Sequence, residues 1–137
     1  MATSTYLSNP VVTINAVDLT DQCSSANLTR VIEALESTSF GKTARVYTAG
    51  LENSTLTLTM YNSFAATETY ATLAALVGTS TTVTIKPTSA TTSATCPLST
   101  LTGCYLETLP IVNAALGALD TIDIVFTGGV YSVTTTP

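Results

Sequence analysis

The chain has no histidine and no tryptophan in its 137 residues. Without histidine it lacks the commonest general base and the commonest metal ligand. Ser-His-Asp and Cys-His arrangements are excluded outright, and no P-loop, GxGxxG or GxSxG is present. Charge is scarce as well: 9% of residues are charged, nine acids against four bases, for a net charge of −5. A typical soluble domain carries about 25%. Arg30, Lys42, Arg45 and Lys86 are the only cations, and tight nucleic-acid binding needs a basic cluster. Three cysteines, Cys23, Cys96 and Cys104, form no CxxC. Their odd count and wide spacing speak against a disulfide framework and against zinc. They read as small buried or half-buried thiols, with a Cys96–Cys104 pair across a hairpin as the less favoured alternative. No apolar run reaches the roughly 18 residues of a membrane span, and Met1–Pro10 has neither the basic segment nor the apolar run of a secretion signal. The acid pairs Asp18/Asp21 and Asp120/Asp123 supply too few oxygens for calcium and read as solvated turn and strand faces. The chain is therefore expected to be no enzyme and to hold no metal or cofactor.

What replaces charge is threonine and serine. Threonine is β-branched and polar, which suits exposed strand faces. A surface so poor in charge is unusual for a free monomer, so much of it is expected to be covered by other subunits. One domain is expected at this length.

The clearest signal lies between Ser54 and Pro87. Thr55–Tyr61 alternates, with Leu56, Leu58 and Met60 on one face and threonines on the other, which marks a half-buried strand. Ala66, Tyr70, Leu73 and Val77 then recur with helical spacing, Ala74 beside them. Glu68 near the start suits the positive helix N-terminus, and Gly78 supplies the left-handed stop. Thr81–Lys86 alternates again with Val83 and Ile85 inward. One helix among many strands serves best as a lid on a sandwich or barrel.

In order along the chain, Met1–Asn9 reads as a flexible arm, and Val11–Ile14 with Val17–Leu19 as a hairpin turning at Asn15-Ala16. Asp18–Ala26 reads as a turn-rich connection. Leu28–Glu36 reads as one strand, a helix being the alternative; neither of its faces is purely apolar. Ser37–Gly50 reads as a long loop that places Lys42 and Arg45 beside Phe40 and Tyr47. It is either a solvated hairpin tip or a docking loop, and its length favours docking. Thr88–Thr95 is a low-complexity loop. Leu98–Leu109 is a strand with Gly103 as a bulge, Pro110–Ala115 an edge strand, and Leu119–Thr127 a strand with Ile122, Ile124 and Phe126 inward. Gly128-Gly129 is a turn, and Val130–Pro137 a last strand or tail. The expected fold is an antiparallel β-sandwich or partly closed barrel of about eight strands with one α-helix.

Several segments together carry a resemblance: Val12-Thr13-Ile14-Asn15-Ala16-Val17-Asp18-Leu19, Thr38-Ser39-Phe40-Gly41 running to Ala49-Gly50-Leu51-Glu52, Leu56-Thr57-Leu58, Leu76-Val77-Gly78, Val83-Thr84-Ile85-Lys86-Pro87, and Leu109-Pro110 with Gly117-Ala118-Leu119-Asp120-Thr121-Ile122. In order and spacing the chain resembles the major tail protein, the tail tube subunit, of siphovirus-type bacteriophages, particularly those of actinobacterial hosts. It departs at Ala16, where glycine is commoner, and at Cys96-Pro97, where Asn-Pro is. The resemblance implies hexameric rings that stack into a tube for DNA, with partners among the tape measure, terminator and distal tail proteins. It implies a place in the virion tail after assembly in the host cytoplasm. It makes Phe40, Lys42, Arg45 and Tyr47 the candidates for docking to the next ring. DNA would pass without specific binding, along a bore whose candidate acids are Glu33, Glu107, Asp120 and Asp123. A capsid decoration protein, a terminator or neck ring protein, and a carbohydrate-binding module are the alternatives; the last is disfavoured by the absence of tryptophan.

Overall fold

The computed structural model describes residues 10–136; Met1–Asn9, expected as an arm, lie outside the described residues. Ten strands, one α-helix and a short 3-10 turn at Thr20–Gln22 are present among those described. The strands are β1 (Val11–Ile14), β2 (Val17–Asp18), β3 (Cys23–Thr29), β4 (Ile32–Glu36), β5 (Tyr47–Glu52), β6 (Thr55–Tyr61), β7 (Ser80–Lys86), β8 (Leu98–Leu106), β9 (Thr121–Thr127) and β10 (Val130–Thr134); the helix α1 is Thr69–Leu73. An eight-stranded antiparallel sheet runs β2-β1-β7-β8-β9-β6-β3, with β10 also paired to β8, and β4-β5 form a separate ribbon.

Alternation builds the body. Leu56, Leu58 and Met60 of β6 and Ile122, Ile124 and Phe126 of β9 turn inward, while their neighbours stay at the surface. They join Val12, Ile14, Val83, Leu101, Cys104 and Leu106 in a single cluster, so both wings of the sheet curl around one core. Burying each such side chain contributes roughly 1.5–3 kcal/mol.

Glycines set the corners. Gly103, at φ +76°, falls where the β7–β8 register skips, Cys104 facing Thr81 and Thr102 facing Thr82; it is the expected bulge. Gly128 and Gly129, both at positive φ, bend one long strand into β9 and β10, which lie end to end along β8. A side chain at Gly129 would meet the Thr102 carbonyl oxygen at 2.6 Å. The expected β1–β2 hairpin forms, with Asn15 at φ 50° and Ala16 at φ 66°.

The main sheet has the eight strands expected, and the separate ribbon adds two more. Several expectations are corrected. Asp18–Ala26 is not only a connection: β3 begins at Cys23, with a register shift between Cys23 and Ser25 that hides its alternation. Leu28–Glu36 is two strands broken at Arg30-Val31, and Tyr47–Gly50 opens β5 and is not loop. Pro110–Ala115 is not a strand. The helix is one short segment whose inward residues are Thr69 and Leu73, followed by Leu76 in a further turn. Of the expected stripe only Leu73 is buried; Ala66 and Val77 face solvent. The Thr69 hydroxyl donates to the Tyr61 carbonyl at 2.9 Å, which fixes the helix by its polar residue, and Thr67 at φ +63° bars an earlier start. Gly78 ends the segment as expected, at φ +82°, its amide donating to Leu106 O at 2.8 Å. The three cysteines are free, Cys96 and Cys104 buried and Cys23 half-buried; burial pushes the Cys23 and Cys104 thiols up from their ordinary range.

Candidate assembly surface

Strands β3 and β6 do not end where the body ends. Their last rung is Thr29/Thr55; the Asn53 amide then donates to Val31 O at 2.8 Å, and pairing resumes at Ile32/Glu52 and runs to Glu36/Tyr47. The result is an arm, a two-stranded ribbon carried out from the body. No residue from Thr29 to Ala49 is even half-buried, although Val31, Ile32, Leu35, Phe40, Val46 and Tyr47 are all large and apolar, and Leu51 beyond them is exposed too. Contiguous exposed apolar surface of this kind marks an interface.

The arm has internal order. Ser37 N donates to Val46 O at 2.8 Å, and Val46 N to Thr38 Oγ1 at 2.8 Å. Arg45 Nη1 forks onto the Glu36 carboxylate at 3.1 and 2.9 Å, an exposed pair contributing about 0–1 kcal/mol. Gly41 at φ +86° turns the tip, where Phe40 stands fully exposed. At the root, Arg30 Nε donates to Glu52 Oε1 at 3.3 Å, and its guanidinium lies 5.1 Å from the centre of the Tyr131 ring. The same Glu52 oxygen accepts from Tyr131 N and from Ser54 Oγ, each at 3.2 Å. Desolvation pushes the Glu52 carboxyl up, but these donors and the Arg30 charge outweigh it and hold it below its ordinary value. Glu52 thereby ties the root of the arm to β10.

Of the expected docking residues, Phe40, Lys42 and Arg45 share the tip, and Tyr47 opens β5. The expected bore acids divide. Glu107 and Asp123 line one hollow with Val125 and Thr127, and Asp123 accepts from Thr59 Oγ1 at 2.7 Å. Asp120 instead braces the 107–120 loop, accepting from Asn62 Nδ2 at 3.0 Å and Asn113 N at 3.1 Å. Glu33 is on the arm, against Gly50.

No protein-family model matches the chain, and no curated protein matches it. Solved structures do. A chain from the PVC sheath/tube terminator of an extracellular contractile injection system, in the extended state, superposes with TM-score 0.73 at 11% identity, over 98% of this chain and 99% of that one. A chain from the anti-feeding prophage cap, the AFP tube terminating cap, gives 0.66 at 14%, over 99% and 95%. A chain from the virion of a native gene transfer agent particle gives 0.65 at 10%, over 96% and 100%. The fold is phage tail tube-like.

Two groups of exposed residues escaped the sequence reading. One is the remainder of the arm, Val31, Ile32, Leu35, Val46 and Leu51; its signal was the apolar residues on both faces of Leu28–Glu36. The other is Ile111, Val112, Leu116 and Leu119, all exposed on the loop that Asp120 braces. No periodicity marks that loop, because side chains and not a strand ladder hold its backbone.

Proposed function

We propose that the chain is a structural subunit of a phage-like tail, and within it a tube subunit that self-assembles into stacked rings through which DNA leaves the capsid. The uncovered apolar arm carries this reading. Beyond the polar contacts at its root, a ribbon with no buried residue gains no apolar cover from its own body, and a neighbouring copy supplies the missing cover. Head-to-tail contacts of this kind close into rings or extend into filaments. The structural neighbours support a tail role and a non-enzymatic one. The sequence resemblance points to a siphovirus-type tail of an actinobacterial phage and to hexameric rings; because contractile systems are among the neighbours, the proposal is framed on the tube, with or without a sheath. Glu107 and Asp123 are the acids we assign to the bore, where negative charge would keep DNA phosphates from adhering. The other tail proteins, tape measure, terminator and distal tail, are the expected partners, and the virion the expected location. A terminating ring is the second reading, favoured by the 0.73 superposition on a terminator structure.

Negative-stain electron microscopy of the concentrated protein at neutral pH tests this. Tubes with a central channel are expected. Single rings that never stack would shift the assignment to a terminator; a monomer that binds preformed capsids would overturn it in favour of a decoration protein. Replacing residues 38–46 with a tight turn should leave a folded body that forms no tubes, and long tubes from that variant would sink the docking role of the arm.

A further inference from the structure

We propose a second inter-copy contact, one that rests on the stacking reading above: the loop Ile111–Leu119 of one copy seats in the cleft at the root of the next copy's arm.

Three observations meet here. The first is shape. The cleft, of about 460 Å³, is walled by Leu28, Ile85, Pro87 and Tyr131 with Ser99 among its lining residues. The loop is its convex counterpart. Gly117 at φ +81° and the Ala118 N–Ala115 O bond of 3.2 Å make a turn that pushes Leu116 fully into solvent, with Leu119 75% exposed beside it.

The second is placement. The cleft lies at the Ser99 end of β8. The loop lies beyond the Tyr61/Thr121 rung of β6 and β9, at the opposite end of the sheet. From Ser99 to Leu106, then across to Phe126 and on to Thr121, the path is roughly 40 Å of strand at about 3.3 Å per residue. One copy therefore does not fill its own cleft with its own loop, whereas a copy translated along the strands brings the two together.

The third is charge. All four cations lie toward the arm end: Arg30 and Lys86 at the cleft, Lys42 and Arg45 at the arm tip. Glu52 offsets Arg30, but Lys86 has no carboxylate partner among the described residues. The loop end carries Glu68, Glu107, Asp120 and Asp123 and no cation. An uncharged apolar loop set among acids is thus offered to an apolar cleft whose unpaired charge is that of Lys86. The arm tip of another copy is the competing occupant, and it fits worse, since it would bring Lys42 against Lys86.

Cross-linking tests the contact. In a Cys23→Ser background, which leaves only the buried Cys96 and Cys104, Leu116→Cys and Ser99→Cys proteins are mixed under assembling conditions and oxidised. A disulfide-linked dimer is expected only in the mixture, with each variant alone remaining unlinked. Assemblies on the grid without this cross-link overturn the cleft assignment and leave the tube reading intact; no assembly under any condition overturns both. A Phe40→Cys protein that links to Ser99→Cys in place of Leu116→Cys would assign the cleft to the arm tip. Lys86→Glu, with an unchanged circular dichroism spectrum, should raise the concentration needed for assembly about threefold and flatten its salt dependence. An unaltered concentration would remove the electrostatic part of the proposal.

Discussion

The ribbon β4–β5 and the strand pair β6–β9 are built from the same chemistry and end in opposite states. Both are antiparallel pairs in which a little over half of the residues are apolar. In β6 and β9 every second residue is sealed from water. In β4 none is, and in β5 only Gly50 and Glu52 are even half-buried. Hydrophobic content therefore does not distinguish body from arm; order does. β6 reads Thr-Leu-Thr-Leu-Thr-Met and offers one face to the core. β4 reads Ile-Glu-Ala-Leu-Glu, with a register shift between Ile32 and Ala34, and offers neither face cleanly. A strand that alternates folds onto its own chain; one that does not must find its cover elsewhere.

The sharpest way to break the contrast is in the body. Phe126→Ala removes the largest fully buried side chain and should cost about 3–5 kcal/mol, seen as a large fall in the melting temperature. The glycines separate the regions next. Gly129→Ala sets a Cβ against backbone atoms at 2.6 and 2.8 Å and adds left-handed strain, so a loss of about 2 kcal/mol or more is expected. Gly41→Ala has nothing within 4 Å and should cost only about 1 kcal/mol, felt by the arm alone. A pH titration gives a smaller effect. The Thr20 hydroxyl and amide hold the Asp18 carboxyl below its ordinary 3.8, so this contribution is present above the unfolded value and lost as pH falls through the folded one. Asp18 is exposed, so the Asp18→Asn protein should differ from wild type by no more than a few tenths of a kcal/mol at pH 6, and the difference should vanish as pH falls through the lowered carboxyl value. Smallest of all for folding is Phe40→Ala: the melting temperature should not move, while tube formation is lost. A destabilised Phe40→Ala monomer would mean that the arm packs on its own body after all.

The same logic explains what the sequence revealed. β6, β7, β9 and the β1–β2 hairpin were legible because one face of each is buried and the other is not. Gly78, Gly103 and the Gly128-Gly129 pair were legible because they punctuate such strands. β3 was not: Cys-Ser-Ser-Ala-Asn-Leu-Thr is polar on its face, and the shift at Ser25 breaks the count before Ala26 and Leu28 restore it. The helix lies within the expected stretch but is shorter and rotated, because its anchoring contact is the hydroxyl of Thr69 and not an apolar stripe. Phe40 and its basic neighbours stood out in the sequence, since a long charged segment with an aromatic is unusual in so neutral a chain, and the structure puts them at the exposed arm tip. The Leu116 loop did not, because its shape depends on Asn62, Asn113 and Asp120 meeting across the fold.

The segregation of charge along the strands has a further consequence. With Glu33, Glu36 and Glu52 nearly balancing the four cations of the arm end, and only acids at the loop end, each copy has a dipole pointing from the loop end toward the arm. Collinear dipoles attract and parallel ones side by side repel, so in dilute salt electrostatics favours growth along the axis and opposes lateral packing. If the copies assemble as proposed, closure of a ring rests on short-range contacts, and raising the ionic strength should ease closure while weakening the pull between successive layers.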